Sequence, residues 1–257
     1  MVKIQMGDLD YQTQSRASEK QKKARERLLE LFQNSPLPPE HLLVNLGLYM
    51  RSSVVAKFLY VNELYQKILE MPGVVMEFGV WWGQNLALFE SFRAAYEPYN
   101  YTRKIIGFDT FKGYPSVSDK DGKCDLVALG QYAVPENYLD HLTSLLDYHQ
   151  EENVMSHVKK YELVKGDASV TICQYLKEHP ETIISLAYFD MQLYKPTVDC
   201  LKAIKPFLIK GSIVAMDELN SFEFPGETLA FREAFESMNF RLYRSRFLPD
   251  RSYAIIE

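Results

Sequence analysis

Three observations predict an α/β fold with helices on both faces of a seven-stranded, mostly parallel sheet. Short β-rich runs alternate with helical runs from residue 74 onward, the order that builds parallel sheets. Two of those runs, 183–189 and 212–216, are largely apolar, as strands covered on both faces must be. The last two runs, 240–243 and 253–256, joined through Pro249-Asp250, read as a hairpin. That hairpin brings the count to seven strands, the last one inserted antiparallel.

The elements follow in order. Residues 1 to about 16 read as frayed and polar, and 17–33 as a helix stopped by Pro36, Pro38 and Pro39. A second helix is predicted over 52–70, where Val54, Val55, Phe58, Val61, Leu64, Tyr65, Ile68 and Leu69 recur at spacings of three and four. Pro72-Gly73 ends it. Residues 1–70 thus form a helical extension, for a lid or for oligomerisation, and 71–257 the main domain. Strands are expected at 74–78, 104–108, 161–164, 183–189 and 212–216. Helices are expected at 84–96, 135–150, 171–178, 196–207 and 227–238. Pro135 suits a first helical turn. The stretch 112–134 keeps no periodicity. A loop that long in a compact domain is commonly functional, and it is the candidate lid.

Composition narrows the function. The 257 residues carry a net charge of −5 and no basic stripe with interleaved aromatics, so nucleic acid is not the expected partner. No apolar run approaches the roughly 20 residues that cross a membrane. The N-terminus lacks a signal peptide's apolar core. Cys124, Cys173 and Cys200 form neither a disulfide ladder nor a zinc pattern. A cytoplasmic protein acting on a small molecule fits these features.

The strand ends carry the chemistry. The two apolar strands finish in Asp190 and in Asp217-Glu218. Carboxylates there face the crevice where open α/β sheets bind ligands. If the strands are neighbours, roughly 4.8 Å apart, the three acids can share one hard cation, which prefers oxygen ligands. The first strand runs into Gly79-Val-Trp81-Trp-Gly83. Two glycines allow a tight turn, but they complete neither G-x-G-x-x-G nor a P-loop. A nucleoside without phosphates fits better. Asp109 ends the second strand, where an acid can accept from both ribose hydroxyls. Asp167 follows the third strand; it can reach an adenine amino group or cap the next helix. Trp81 and Phe111 can stack on a purine or pack in the core.

The motifs EFGVWWG, GFDTFKGYP, KGDAS, YFDMQLYKPT and PFLIKGSIVAMDEL together resemble the macrocin O-methyltransferase family over about residues 48–257. That resemblance implies a Rossmann-like class I methyltransferase fold and a methyl transfer from S-adenosylmethionine to a sugar hydroxyl, helped by a divalent metal, usually magnesium. The acceptor it implies is a deoxysugar carried on a nucleotide or on a glycosylated natural product. It places Glu77, Gly79, Trp81 and Gly83 around the methionine part of the cofactor. Asp109, with Thr110, Phe111 and Lys112, falls on the ribose side, and Asp167, Ala168 and Ser169 border the adenine. Asp190, Asp217 and Glu218 match the metal site. The sequence departs from the family where a second strand-end aspartate is Gln192 and where paired aspartates read Asp217-Glu218.

A sugar hydroxyl holds its proton tightly, so a cation that polarises it and a carboxylate that accepts the proton are both expected. Asp190 is the expected base. A homo-oligomer is expected for the assembly. A catechol-type small-molecule O-methyltransferase and a nucleoside-binding module without turnover are the alternatives.

Overall fold

The computed structural model describes residues 17–257; the reading of residues 1–16 falls outside the described residues. Three helices lead the chain: α1 (Glu19–Gln33), α2 (Pro39–Val44) and α3 (Ser52–Lys67). α1 starts at Glu19 because Ser18 caps it. The Ser18 hydroxyl accepts from the Gln21 N–H, and the Gln21 side chain accepts in return from the Ser18 N–H. α2 was not anticipated. Pro39, read only as a stop, also opens a short helix, since its fixed φ suits the first helical position. Neither α1 nor α2 buries a residue, whereas α3 buries Tyr60, Val61, Leu64 and Tyr65.

The seven strands are β1 (Val74–Phe78), β2 (Ile105–Asp109), β3 (Tyr161–Lys165), β4 (Ile184–Phe189), β5 (Leu208–Met216), β6 (Phe240–Arg244) and β7 (Ser252–Ile256). They form one sheet in the order β3-β2-β1-β4-β5-β7-β6. β1 to β5 run parallel, and β7 is antiparallel to both its neighbours, as the terminal hairpin predicts. The remaining helices are α4 (Gln84–Tyr96), α5 (Tyr138–Glu152), α6 (Ala168–Glu178), α7 (Tyr194–Ile204) and α8 (Pro225–Ala234).

Strand alternation splits the core into two layers. Val75, Leu186, Tyr188 and Ile213 pack with α3, α4 and α5. Met76, Phe78, Ala187 and Phe189 pack with α6, α7 and α8. The ring of Phe78 stacks on Phe108 at 5.0 Å and on Phe189 at 4.6 Å. These three rings, from β2, β1 and β4, make a rigid apolar base just below the strand ends.

Several boundaries differ from the sequence reading, each for a local reason. α5 begins at Tyr138, because Pro135 makes a turn closed by the Tyr138 N–H instead of a first helical position. α6 begins at Ala168, three residues early, because Asp167 caps it. β5 starts at Leu208 and passes through an irregular pairing with β4 near Ile184, with Gly211 at φ +92°.

Candidate active site

The chain runs outward from β1 to β2 and β3, then returns to place β4 on the other side of β1. Ligands of open α/β sheets bind at this switch point. A cavity lies there, at the carboxyl ends of β1, β2, β4 and β5. Of the residues expected in the site, Gly79, Trp81, Asp109, Thr110, Asp167, Ala168, Asp190, Asp217 and Glu218 line it.

The turn after β1 is built by Gly79 and Asp109. Gly79 has φ +89°, and a side-chain carbon there would fall 2.1 Å from the Asp190 carbonyl oxygen. Only glycine allows β1 and β4 to leave the sheet so close together. The Asp109 carboxylate accepts from the N–H groups of Val80 (2.7 Å), Trp81 (2.8 Å) and Phe111 (2.6 Å). A carboxylate has about four lone-pair sites. Asp109 therefore anchors both turns and, at the cavity, keeps lone-pair capacity for a further donor.

Other expected residues stand back from the cavity. Glu77 is buried beneath the turn, with one carboxylate oxygen accepting from Asn85 at 2.8 Å. Its other oxygen, Oε2, is buried with no hydrogen-bond partner. Burial pushes its carboxyl well above the usual range, and Lys57 opposes that shift. Gly83 caps α4 with φ +76°, and a Cβ there would strike Leu142 of α5 at 2.4 Å. Its missing side chain lets α4 and α5 pack closely. Phe111 is buried with φ +56°, Lys112 is exposed, and Ser169 bonds the Asp167 side chain. None of these three lines the cavity. Asp167 both caps α6 and borders the cavity.

The three strand-end acids meet in this cavity. Asp217 is 2% exposed, and its Oδ1 accepts from the Tyr188 hydroxyl at 2.8 Å. Arg251 Nε lies 2.5 Å from the same oxygen. Burial first, then the Asp217 charge, pushes Asp190 up to about 7. Burial and Asp217 likewise push Glu218 up to about 7. An oxygen-only donor set with excess negative charge suits a hard cation. The side chains as they stand do not form its cage. Among the described residues no group of three or more His, Cys, Asp or Glu is gathered closely enough to hold a metal. The three acids share one cavity, with Asp217 held by Arg251.

Several site residues escaped the sequence reading. Lys57 reaches the cavity from α3, and Arg251 from the turn before β7. Glu227, buried in the first turn of α8, accepts from the N–H groups of Met191 (3.0 Å), Gln192 (2.9 Å) and Glu218 (3.0 Å). It fastens the exits of β4 and β5 to each other. Tyr114 and Tyr132 come from the 112–134 loop. That loop is stapled to the fold. Buried Asp121 accepts from the Tyr194 N–H and caps Ser118, and Lys112 bridges Ala133. It forms a wall of the cavity.

The sequence profile of macrocin O-methyltransferases (TylF) matches residues 60–237. Among solved structures, the chain is similar to CalS11, a calicheamicin methyltransferase, at 42% identity over 94% of each chain, with a TM-score of 0.88. An apo structure of CalS11, described as a TDP-rhamnose 3'-O-methyltransferase of calicheamicin biosynthesis, matches at 39% identity over 94% of this chain and 96% of that one, with a TM-score of 0.80. The O-methyltransferase NovP shares the fold at 18% identity, covering 79% of this chain and 80% of that one, with a TM-score of 0.59. No curated protein sequence matches. The chain is therefore an S-adenosylmethionine-dependent O-methyltransferase with an α/β sheet. It belongs to the macrocin O-methyltransferase family. No helix among the described residues is long and apolar enough to cross a membrane.

Proposed function

We propose that the protein methylates a hydroxyl of a nucleotide-linked deoxysugar. The observation that carries this reading is the placement of Asp190. Its backbone packs on Gly79 at the turn after β1, and its carboxyl joins Asp217 and Glu218 in the cavity. A methyl donor held by that turn sits beside a group able to take a proton. The similarity to CalS11 over nearly the whole chain supports a sugar acceptor.

The cofactor side fits S-adenosylmethionine. The buried Glu77 Oε2 without a partner suits an ammonium group, and Asp109 offers one remaining lone pair to a hydroxyl. S-adenosylmethionine supplies an electrophilic methyl. The transfer is a direct displacement: the sugar oxygen gains the methyl as the sulfonium C–S bond breaks, S-adenosylhomocysteine leaves, and the hydroxyl proton passes to Asp190. Much of the acceleration is positioning. A base whose carboxyl is pushed up to about 7 is matched to neutral pH. Asp217 cannot share that duty while Arg251 and the Tyr188 hydroxyl hold it. Asp190, Asp217 and Glu218 supply the cavity's oxygen donors, but they are not gathered into a metal cage, so no step of the transfer is assigned to a cation.

The test is a turnover assay with S-adenosylmethionine and a panel of TDP-deoxysugars and catechols, with magnesium and then with EDTA, read by mass spectrometry. A single methyl gained by a TDP-deoxysugar is the expected result. Methylation of catechols alone contradicts the sugar assignment.

A further inference from the structure

Six residues other than glycine hold a positive φ among the described residues, and Trp81 (49°), Tyr132 (63°) and Gln192 (62°) line one cavity. Such backbone is disfavoured for L side chains and persists where the surroundings impose it, most often around ligands. These residues also touch one another. The Trp81 ring meets Tyr132 edge-on at 5.5 Å, and Tyr132 meets Tyr114 at 5.3 Å. The Tyr114 hydroxyl donates to the Gln192 side-chain carbonyl. The Tyr132 side chain faces Gln192 across the same cavity wall.

Gln192 thus meets two tyrosines from opposite sides of the 112–134 loop. The loop closes its own base, with Tyr114 N–H to the Gln131 carbonyl and Gly130 N–H to the Tyr114 carbonyl, each 3.0 Å. The wall is preformed. It is also uncharged, beside three carboxylates. An amide has two donors and a carbonyl with two lone pairs. Tyr114 uses one carbonyl lone pair, which leaves the amide donors and the second lone pair for other partners. An aspartate at this position is shorter and, ionised, only accepts. It would offer a ligand no donor.

We infer that Tyr114, Tyr132 and Gln192, with Trp81 behind Tyr132, form the subsite that holds the ring of the acceptor. Aromatic faces pack on the C–H faces of a pyranose, and the amide pairs with a ring hydroxyl as donor and acceptor at once. A deoxysugar, with one face less hydroxylated, suits this wall. The inference rests on the sugar reading given under the proposed function.

The test uses the full chain and three variants, Gln192→Glu, Gln192→Ala and Tyr132→Phe, with kcat and KM for the TDP-deoxysugar and calorimetry of S-adenosylhomocysteine. Gln192→Glu keeps the shape and loses the donors; Tyr132→Phe keeps the ring and loses the hydroxyl. The expected result is a KM for the sugar raised about tenfold or more, the scale of one lost buried hydrogen bond, with S-adenosylhomocysteine affinity within about twofold in the same variants. That retained affinity also shows the variants are folded. Sugar turnover with an unchanged KM in all three overturns the subsite alone. An equal loss of S-adenosylhomocysteine affinity assigns the wall to the cofactor and also overturns it. A wild-type chain that methylates catechols and no sugar overturns the sugar reading and this subsite together.

Discussion

Gly79 and Asp190, 111 positions apart in the chain, meet so closely that a Cβ on Gly79 would lie 2.1 Å from the Asp190 carbonyl oxygen. The crossover that puts β4 beside β1 brings the cofactor turn and the acidic strand end into one contact. The turn after β1 and the acidic end of β4 are juxtaposed by the sheet itself.

Gly79→Ala should therefore injure both. The new methyl meets a backbone carbonyl that cannot swing aside, and φ +89° is strained for alanine. Strain alone costs about 1–3 kcal/mol, and the clash adds to it. Thermal unfolding should show a lower midpoint, and calorimetry should show weakened S-adenosylhomocysteine binding. A wild-type midpoint with intact binding would mean the turn relaxes without consequence.

Arg251→Met should leave Asp217 buried without its cation. Breaking a buried pair by removing one partner costs about 3–5 kcal/mol, and Arg251 is partly exposed, at 17%, so the lower end is expected. Urea unfolding measures it. A loss below about 0.5 kcal/mol would place this pair among ordinary surface ion pairs.

Glu227→Ala should loosen the site without touching it. Three N–H groups, on Met191, Gln192 and Glu218, lose their acceptor. Each buried donor left unpaired costs about 1–3 kcal/mol. Hydrogen exchange should rise at the exits of β4 and β5. Unchanged exchange there would show that other contacts hold these loops.

Stability should fall as pH rises through neutrality. Asp190 and Glu218 are raised to about 7 by burial and by Asp217, above unfolded values near 4. A raised folded pKa means the stabilisation is complete below about pH 4 and is lost as pH climbs through about 7. Thermal midpoints across that range should decline, and the paired variant Asp190→Asn, Glu218→Gln should flatten the decline. Added magnesium should also flatten it if the acids hold the ion. A midpoint that rises with pH, unaffected by the paired variant, would contradict the shifts.

Much of this was legible in the chain. Apolar runs at 183–189 and 212–216 announced covered strands, and their terminal acids announced where the chemistry sits. What stayed hidden was set by contacts between distant segments. Arg251 reaches Asp217 only because β7 pairs with β5, and Lys57 reaches the cavity only because α3 packs on the sheet. Asp121 looks like an ordinary loop acid until Tyr194, 73 residues on, supplies its donor. Gln192 drew notice only as a departure from an aspartate, since its tyrosine partners lie in an aperiodic loop. Asp109 ends β2 and lines the cavity, but its three backbone donors depend on turn geometry that residue type does not encode.

The most direct measurement is single-turnover methylation by Asp190→Asn beside calorimetry of S-adenosylhomocysteine. The amide keeps the shape and removes the proton acceptor. The expected result is a transfer rate lowered by about two to four orders of magnitude, the usual contribution of a positioned base, with cofactor affinity within a few-fold. A rate near that of the wild type, at unchanged affinity, would remove Asp190 from the chemistry.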